Sequence, residues 1–168
     1  MVRVVAVAIT LVRLEPDDWQ RLREARLAAL EEAPEAFGST LAREQEFRES
    51  DWRARLYPRH GPKLLVSDGD VVAGLVGSFT RADRGATVHL VSMWVSPAYR
   101  GTGVAGLLLD TFVADARLDG RRTVELTVVE TNEPARKLYR RHGFVETGET
   151  REHPNPAVAR EVVMVLHL

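Results

Sequence analysis

A run of glycines between an apolar strand and an apolar helix is the first place where this sequence could do chemistry. Val95-Ser96-Pro97-Ala98-Tyr99-Arg100-Gly101-Thr102-Gly103-Val104-Ala105-Gly106 leads from one into the other. Such a turn presents consecutive backbone N–H groups at the positive end of a helix, where a phosphate or pyrophosphate can sit. Glycines let that backbone approach closely, and Arg100 adds a charge able to make charge-assisted contacts with phosphate oxygens. Gly101, Gly103 and Gly106 also spell G-x-G-x-x-G, with Glu125 or Glu130 near the acidic position of a dinucleotide fingerprint. In that fingerprint the glycine follows the strand almost directly, whereas here Ser96 to Arg100 intervene. Taken alone, the segment leaves three readings open: a pyrophosphate-binding turn, the cofactor site of a nicotinamide-dependent oxidoreductase, or a tight turn with a capped helix and no ligand.

A second segment has fixed spacing. Asn132-Glu133-Pro134-Ala135-Arg136-Lys137-Leu138-Tyr139-Arg140-Arg141-His142-Gly143-Phe144 reads as N-x-x-A-x-x-L-Y-x-x-x-G-F. It resembles the GNAT superfamily of acyl-CoA-dependent N-acyltransferases, and Arg100, Gly103 and Ala105, as R-x-x-G-x-A, look like that superfamily's pyrophosphate loop. The two motifs and the strands between them span roughly Val88 to Phe144.

The resemblance implies two central parallel strands, Ala86 to Val95 and Thr123 to Val129, that splay apart around the pantetheine arm of acetyl-CoA. Backbone groups of Met93 and Val95 would pair with that arm like an added strand. Arg100, Gly101, Thr102, Gly103, Val104 and Ala105 would hold the pyrophosphate, Asn132 would touch the arm from the other wall, and Tyr139 would stand beside the thioester sulfur. The implied activity is transfer of an acetyl group from acetyl-CoA to a primary amine of a small molecule or peptide, with no metal. A noncatalytic acyl-CoA-binding or sensor domain of the same fold is the alternative.

Those assignments meet real chemical needs. Amine attack on a thioester creates an oxyanion that needs fixed N–H donors, each worth on the order of 3 kcal/mol. Strand amides near Met93 could provide them. The expelled thiolate needs a proton, which the Tyr139 phenol can give. The amine must be neutral, yet a lysine-like amine has a reference pKa of about 10.4. A base or a water chain is therefore expected, and Glu130, at the end of the second splayed strand, and His89, on the first, are the nearest candidates by sequence. Both residue types also serve as a surface carboxylate or an ordinary strand histidine.

In this superfamily the first two helices wall the acceptor site. Glu31, Glu32, Glu35, Glu44, Glu46 and Glu49 lie there, and an acidic rim would attract a cationic amine. Arg43, Arg48, Arg53 and Arg55 balance them, as on a solvated helix face. Trp52, Phe37 and Trp94 could shape an apolar pocket or simply pack in the core.

The elements that must carry these groups can be read from periodicity. Val4 to Val12 reads as a buried strand. Glu15-Pro16-Asp17-Asp18 opens a helix to about Ala33, and a second helix is expected from about Leu41 to Leu56. Leu64 to Val66 and Val71 to Phe79 form a hairpin, followed by the strand from Ala86 to Val95. A helix from Val104 to Leu118 crosses over to the strand Thr123 to Val129, a helix from Asn132 to His142 follows, and strands at Phe144 to Thr150 and Val158 to Leu168 finish the chain. The expected fold is mixed α/β (α+β): a mostly antiparallel sheet of about seven strands with one parallel splayed pair, flanked by about four helices.

With 168 residues, 45% hydrophobic and 28% charged, the chain reads as one domain over 1–168. A formal net charge of −1 provides no field for nucleic acid. The absence of cysteine excludes disulfides, thiolate metal sites and a cysteine nucleophile. No stretch approaches the roughly 20 apolar residues of a spanning helix, and Val4 to Val12 is too short for a signal peptide, so no membrane and a cytoplasmic location are expected. The acceptor's identity and the oligomeric state, a homodimer included, stay open.

Overall fold

The computed structural model describes residues 9–168. Along them run strand β1 (Ile9–Arg13), helices α1 (Trp19–Glu32), α2 (Leu41–Gln45) and α3 (Glu49–Arg55), and strands β2 (Leu64–Asp68), β3 (Val71–Thr80) and β4 (Thr87–Val95). Helix α4 (Val104–Leu118), strand β5 (Thr123–Val129), helix α5 (Glu133–Arg141) and strands β6 (Val145–Arg151) and β7 (Glu161–His167) follow. Pro16, Pro34, Pro58 and Pro97 each open a short 3-10 turn, where a fixed φ and a missing N–H suit the first position.

The strands form one sheet in the order β1-β2-β3-β4-β5-β7-β6. Every neighbouring pair is antiparallel except β4 and β5. This is the expected mixed α/β fold. Because side chains alternate across a strand, Leu64 and Val66 of β2 face α4 while Leu65 faces α1 and α3. On the α4 side, Leu108, Phe112 and Ala116, four apart, pack on Val76, Val88, Leu90, Val124 and Leu126. Burying a side chain such as Phe112 contributes roughly 1.5–3 kcal/mol. On the other side, Leu22, Ala25 and Trp52 cover Leu65 and Leu75. Gly74 leaves room for α4 against the sheet, since a Cβ there would lie 2.9 Å from Leu108 Cδ1.

Two expectations are corrected. The helix expected from Leu41 to Leu56 is two helices, which raises the number from about four to five. The break at residues 46–48 turns Phe47 inward, edge-on to Trp52 with ring centroids 5.6 Å apart. It is fixed by Asp51, whose Oδ2 accepts the Arg48 N–H at 2.8 Å and so starts α3 afresh. The last strand begins at Glu161 rather than Val158 because the Pro154-Asn155-Pro156 loop extends further. The strand expected over Val4 to Val12 is described from Ile9 onward; its first part lies outside the described residues. Among the described residues, no helix is long and apolar enough to cross a membrane.

The dinucleotide reading does not fit this topology. The chain before the glycine turn is an antiparallel meander, not a repeated strand-helix unit. A Cβ on Gly106 would meet the His142 ring at 3.7 Å, so the third glycine allows contact with the end of α5 rather than packing of its helix on a strand.

Candidate active site

Strands β4 and β5 pair only through Thr87 with Thr123, Val88 with Val124 and His89 with Glu125. Beyond that point β5 stays on β7 as far as Val129, while β4 stays on β3, so the two strands part and leave a cleft. The fork is held by charge. Glu125 Oε1 lies 3.4 Å from His89 Nδ1 and 3.0 Å from Arg151 Nη2, and its Oε2 lies 3.6 Å from Arg84. Burial pushes His89 below the usual histidine range against the pull of Glu125, and its Nε2 is buried without a hydrogen bond. The ring stacks on Phe79 at 4.7 Å.

Past the fork, β4 carries a bulge: Leu75 pairs with Trp94 but Gly77 pairs with Val91. Ser92 sits in this bulge with φ at 58°, a left-handed conformation that costs a non-glycine residue about 1 kcal/mol or more. Arg26 of α1 holds it, donating from Nη1 to Ser92 Oγ at 2.7 Å. The same guanidinium binds Glu44 with Nε at 3.0 Å and Nη2 at 2.9 Å, and Arg55 Nη1 reaches Glu44 at 3.1 Å. Burial raises the Glu44 pKa, but the hydrogen bonds and charges of Arg26 and Arg55 outweigh it and leave Glu44 below the usual range.

At the end of β4, a 3-10 turn from Pro97 to Tyr99 leads into the glycine bend. Gly101 and Gly103 have φ of 74° and 94°, and a Cβ at either would meet nothing within 4 Å, so the backbone stands open on that side. Gly103 is the N-cap of α4 and offers no capping side chain. The N–H of Leu107 bonds to the Gly103 carbonyl, so the N–H groups of Val104, Ala105 and Gly106 belong to the first turn, which lacks intrahelical acceptors. Tyr99 ties the bend to the sheet through a 2.9 Å bond from its hydroxyl to Asp68.

Arg100 does not stand free at this bend. Its Nη2 lies 2.7 Å from Glu32 Oε2 and its Nε donates to the Val95 carbonyl at 3.0 Å. Glu32 also accepts from Trp94 Nε1 at 2.8 Å. Met93 and Val95 are half-buried and pack on the cluster that contains Val104, Leu126, Val128 and Tyr139. Tyr139 meets Phe144 edge-on at 5.7 Å. Its hydroxyl makes no hydrogen bond to any described residue, and burial raises its pKa far above the usual phenol value, so it carries its proton throughout the physiological range. Asn132 caps α5, its Oδ1 accepting the Ala135 N–H at 3.2 Å.

The structure thus packs Val104 at the glycine bend, Met93 and Val95 of β4 and Tyr139 into one cluster beside the parted strands, and engages the two candidate bases elsewhere. Glu130 pairs with Arg160 at 3.5 Å, and His89 is enclosed at the fork. Across the sheet from α4 lies a cavity of about 690 Å³ with Leu22, Phe37, Leu75 and Phe79 among its apolar walls and Ser92 and Thr127 at the cleft. Neither Glu130 nor His89 lines it. Nor is it rimmed by acid: of the six glutamates expected there, Glu44 lines it, and that carboxylate is neutralised. Glu32 and Glu49 are engaged with Arg100 and Arg53. Trp52 is wholly buried core, and Trp94 packs with Leu30.

Sequence reasoning missed Arg26, Ser92 and Lys63. Arg26 had a signal, a charge in the apolar stripe of Leu22, Ala25 and Ala29, which requires a buried partner. Ser92 had none, because nothing in Val91-Ser92-Met93 marks a bulge. Among the described residues, no group of histidine and carboxylate side chains is placed to hold a metal ion.

Comparison with known proteins agrees with this geometry. The L-amino acid N-acetyltransferase AaaT of Escherichia coli (strain K12) is 31% identical over 151 residues, 86% of this chain and 88% of that protein. A GNAT-family acetyltransferase structure from Streptococcus pneumoniae superposes with a TM-score of 0.79 at 22% identity, covering 96% of this chain and 99% of that one. The structure of yncA from Salmonella typhimurium, which contains its cofactor acetyl-CoA, gives 0.77 at 20% identity, covering 96% and 94%. Residues 19–144, which hold the parting strands, the glycine bend and Tyr139, match the Acetyltransferase (GNAT) family, and the chain belongs to it.

Proposed function

We propose that this acetyltransferase uses the whole chain as one domain to move the acetyl group of acetyl-CoA onto a primary amine of a small molecule or peptide, by direct attack. The observation that carries this reading is the glycine bend beside the parted strands: open N–H groups on one side and a cleft lined by unpaired strand edge on the other. That arrangement fits a diphosphate joined to an extended arm, as in acetyl-CoA, which supplies an acetyl group already activated as a thioester.

Gly101, Gly103, Val104 and Ala105 hold the diphosphate through backbone N–H groups, Thr102, whose N–H and hydroxyl turn to the Tyr99 carbonyl, shapes the bend, and Arg100 joins them once it leaves Glu32. The backbone of Met93 and Val95 orients the arm, with the Val95 carbonyl released by Arg100 Nε. The free amide of Asn132 closes the opposite wall. Tyr139 keeps its proton because it is buried, and its hydroxyl is the general acid for the leaving sulfur. Glu130, tied to Arg160, can relay a proton only at the outer end of β5. The Escherichia coli relative is named for L-amino acids, which makes a free amino acid a suitable acceptor class. No metal is required, and the cytoplasm, where acetyl-CoA is at hand, is the expected setting.

Thiol release from acetyl-CoA, measured against a broad panel of primary amines, tests the reading. Release that depends on an amine is expected. Acetyl-CoA binding with no release from any amine would replace it with a noncatalytic acyl-CoA binder.

A further inference from the structure

We propose that Lys63 is the anchor for the carboxylate of an amine-bearing acid that enters the cavity. The inference rests on the acetyl-transfer reading and names its substrate class: a small amino acid with a free carboxylate.

The cavity collects more positive than negative groups. Arg26 faces it from α1, Arg43 and Glu44 from α2, Arg55 from α3, and His60 and Lys63 from the segment before β2. Glu161 of β7 lines the far side, and Arg13 of β1 adds its field to Lys63 from behind. Glu44 is shared by Arg26 and Arg55, so one buried anion serves two guanidiniums. Arg43 is exposed and has no ion pair among the described residues.

Lys63 is buried, and no carboxylate of the described residues lies within salt-bridge distance of its amine. Nζ donates instead to the carbonyls of His60 at 3.3 Å and Gly61 at 3.4 Å. An ammonium has three N–H donors, so one remains for a ligand. Burial, then the charges of Arg13 and Arg55, push this amine down to about 7. Burial disfavours any lone charge here, whereas the positive charges of Arg13 and Arg55 favour an anion, and a bound carboxylate beside the amine would restore the ammonium toward its reference pKa of about 10.4.

The residue type supports the same conclusion. Of the 23 lysines and arginines, only Lys63 and Lys137 are lysines. Arginine would remain charged beside Arg55 in the empty cavity, whereas lysine can shed its proton and recover it. Lys63 is also well placed. On the same face, Gly77 of β3 adds no side chain between it and Ser92, so the floor is open from the lysine toward the cleft, where the amine must react.

The test uses the standard L-amino acids, the amide of the best binder, wild type and Lys63→Met. Calorimetry at pH 8, in buffers of different ionisation enthalpy, should show wild type taking up more protons on binding than the variant, a difference in which the ligand's own amine cancels. In thiol release, the variant should raise KM for the amino acid about tenfold or more, while kcat changes little and the amide is handled as by wild type. Equal proton counts for wild type and variant, no binding by any amino acid, or equal losses for acid and amide would overturn the proposal. Failure of acetyl transfer itself would appear separately, as absent thiol release even with carboxylate-free amines, and the proton count would still be readable.

Discussion

His89 and Glu125 form the last residue pair that joins β4 to β5, and they do so with side chains as well as backbone. One carboxylate there meets an imidazole and two guanidiniums, while the next residues of both strands separate. The cleft is therefore hinged on a buried carboxylate and its partners beside the buried Val88 and Val124 pair.

Glu125→Gln should strip the fork of its anion and leave Arg151 and Arg84 facing a buried histidine. Breaking a buried pair from one side typically costs about 3–5 kcal/mol, and the partial exposure of both arginines places the expected loss on the order of 2 kcal/mol. Urea denaturation of wild type and variant checks it; equal midpoints would show that the backbone ladder alone holds the fork.

Tyr139→Phe keeps the edge-on contact with Phe144 and removes only the hydroxyl. A positioned acid contributes roughly a hundred- to ten-thousand-fold, so kcat should fall within that range while acetyl-CoA affinity hardly changes. Steady-state kinetics together with direct binding separate the two effects. An unchanged kcat across pH removes Tyr139 from the chemistry.

Arg100 must choose between Glu32 and a phosphate. Arg100→Ala is expected to weaken acetyl-CoA binding by about tenfold or more, the scale of a charge-assisted hydrogen bond. Glu32→Gln should act in the opposite direction, tightening binding a few-fold by releasing the guanidinium. Calorimetric titration of both variants decides; equal affinity in all three proteins would leave Arg100 with a purely structural role.

Lys63 also sets a pH dependence of stability. Its folded pKa of about 7 lies below the unfolded value, so from about pH 7 to about pH 10 the unfolded chain binds more protons and this site makes stability rise with pH. Below pH 7 both states are protonated and the full penalty of the buried charge is present. Lys63→Met should therefore be more stable than wild type near pH 7, by on the order of 3 kcal/mol, and lose most of that advantage by pH 10. Thermal melts across this range provide the comparison.

Most of the fold was legible because periodicity survives in single segments. The apolar stripe of Leu108, Phe112 and Ala116, the hairpin around Gly69 and the cap at Asn132 are local facts, settled within a few residues. The break between α2 and α3 was not, because Leu41 to Leu56 can be helical throughout; it is Phe47 docking on Trp52 that favours the interruption.

By itself the sequence determined the glycine bend and the Asn132 to Phe144 motif, since spacing along the chain carries both. Only the tertiary structure decided what the basic and acidic residues do. Arg26, Glu44 and Lys63 are far apart along the chain and come to line one cavity only through packing of α1, α2 and the segment before β2, so the Arg26–Glu44 pair, and the burial that depresses Lys63, do not exist until the chain has folded. The same reason decides between an acidic rim and balanced helix faces, and adds a cationic cavity: glutamates counted along a helix say nothing about which guanidinium each will meet.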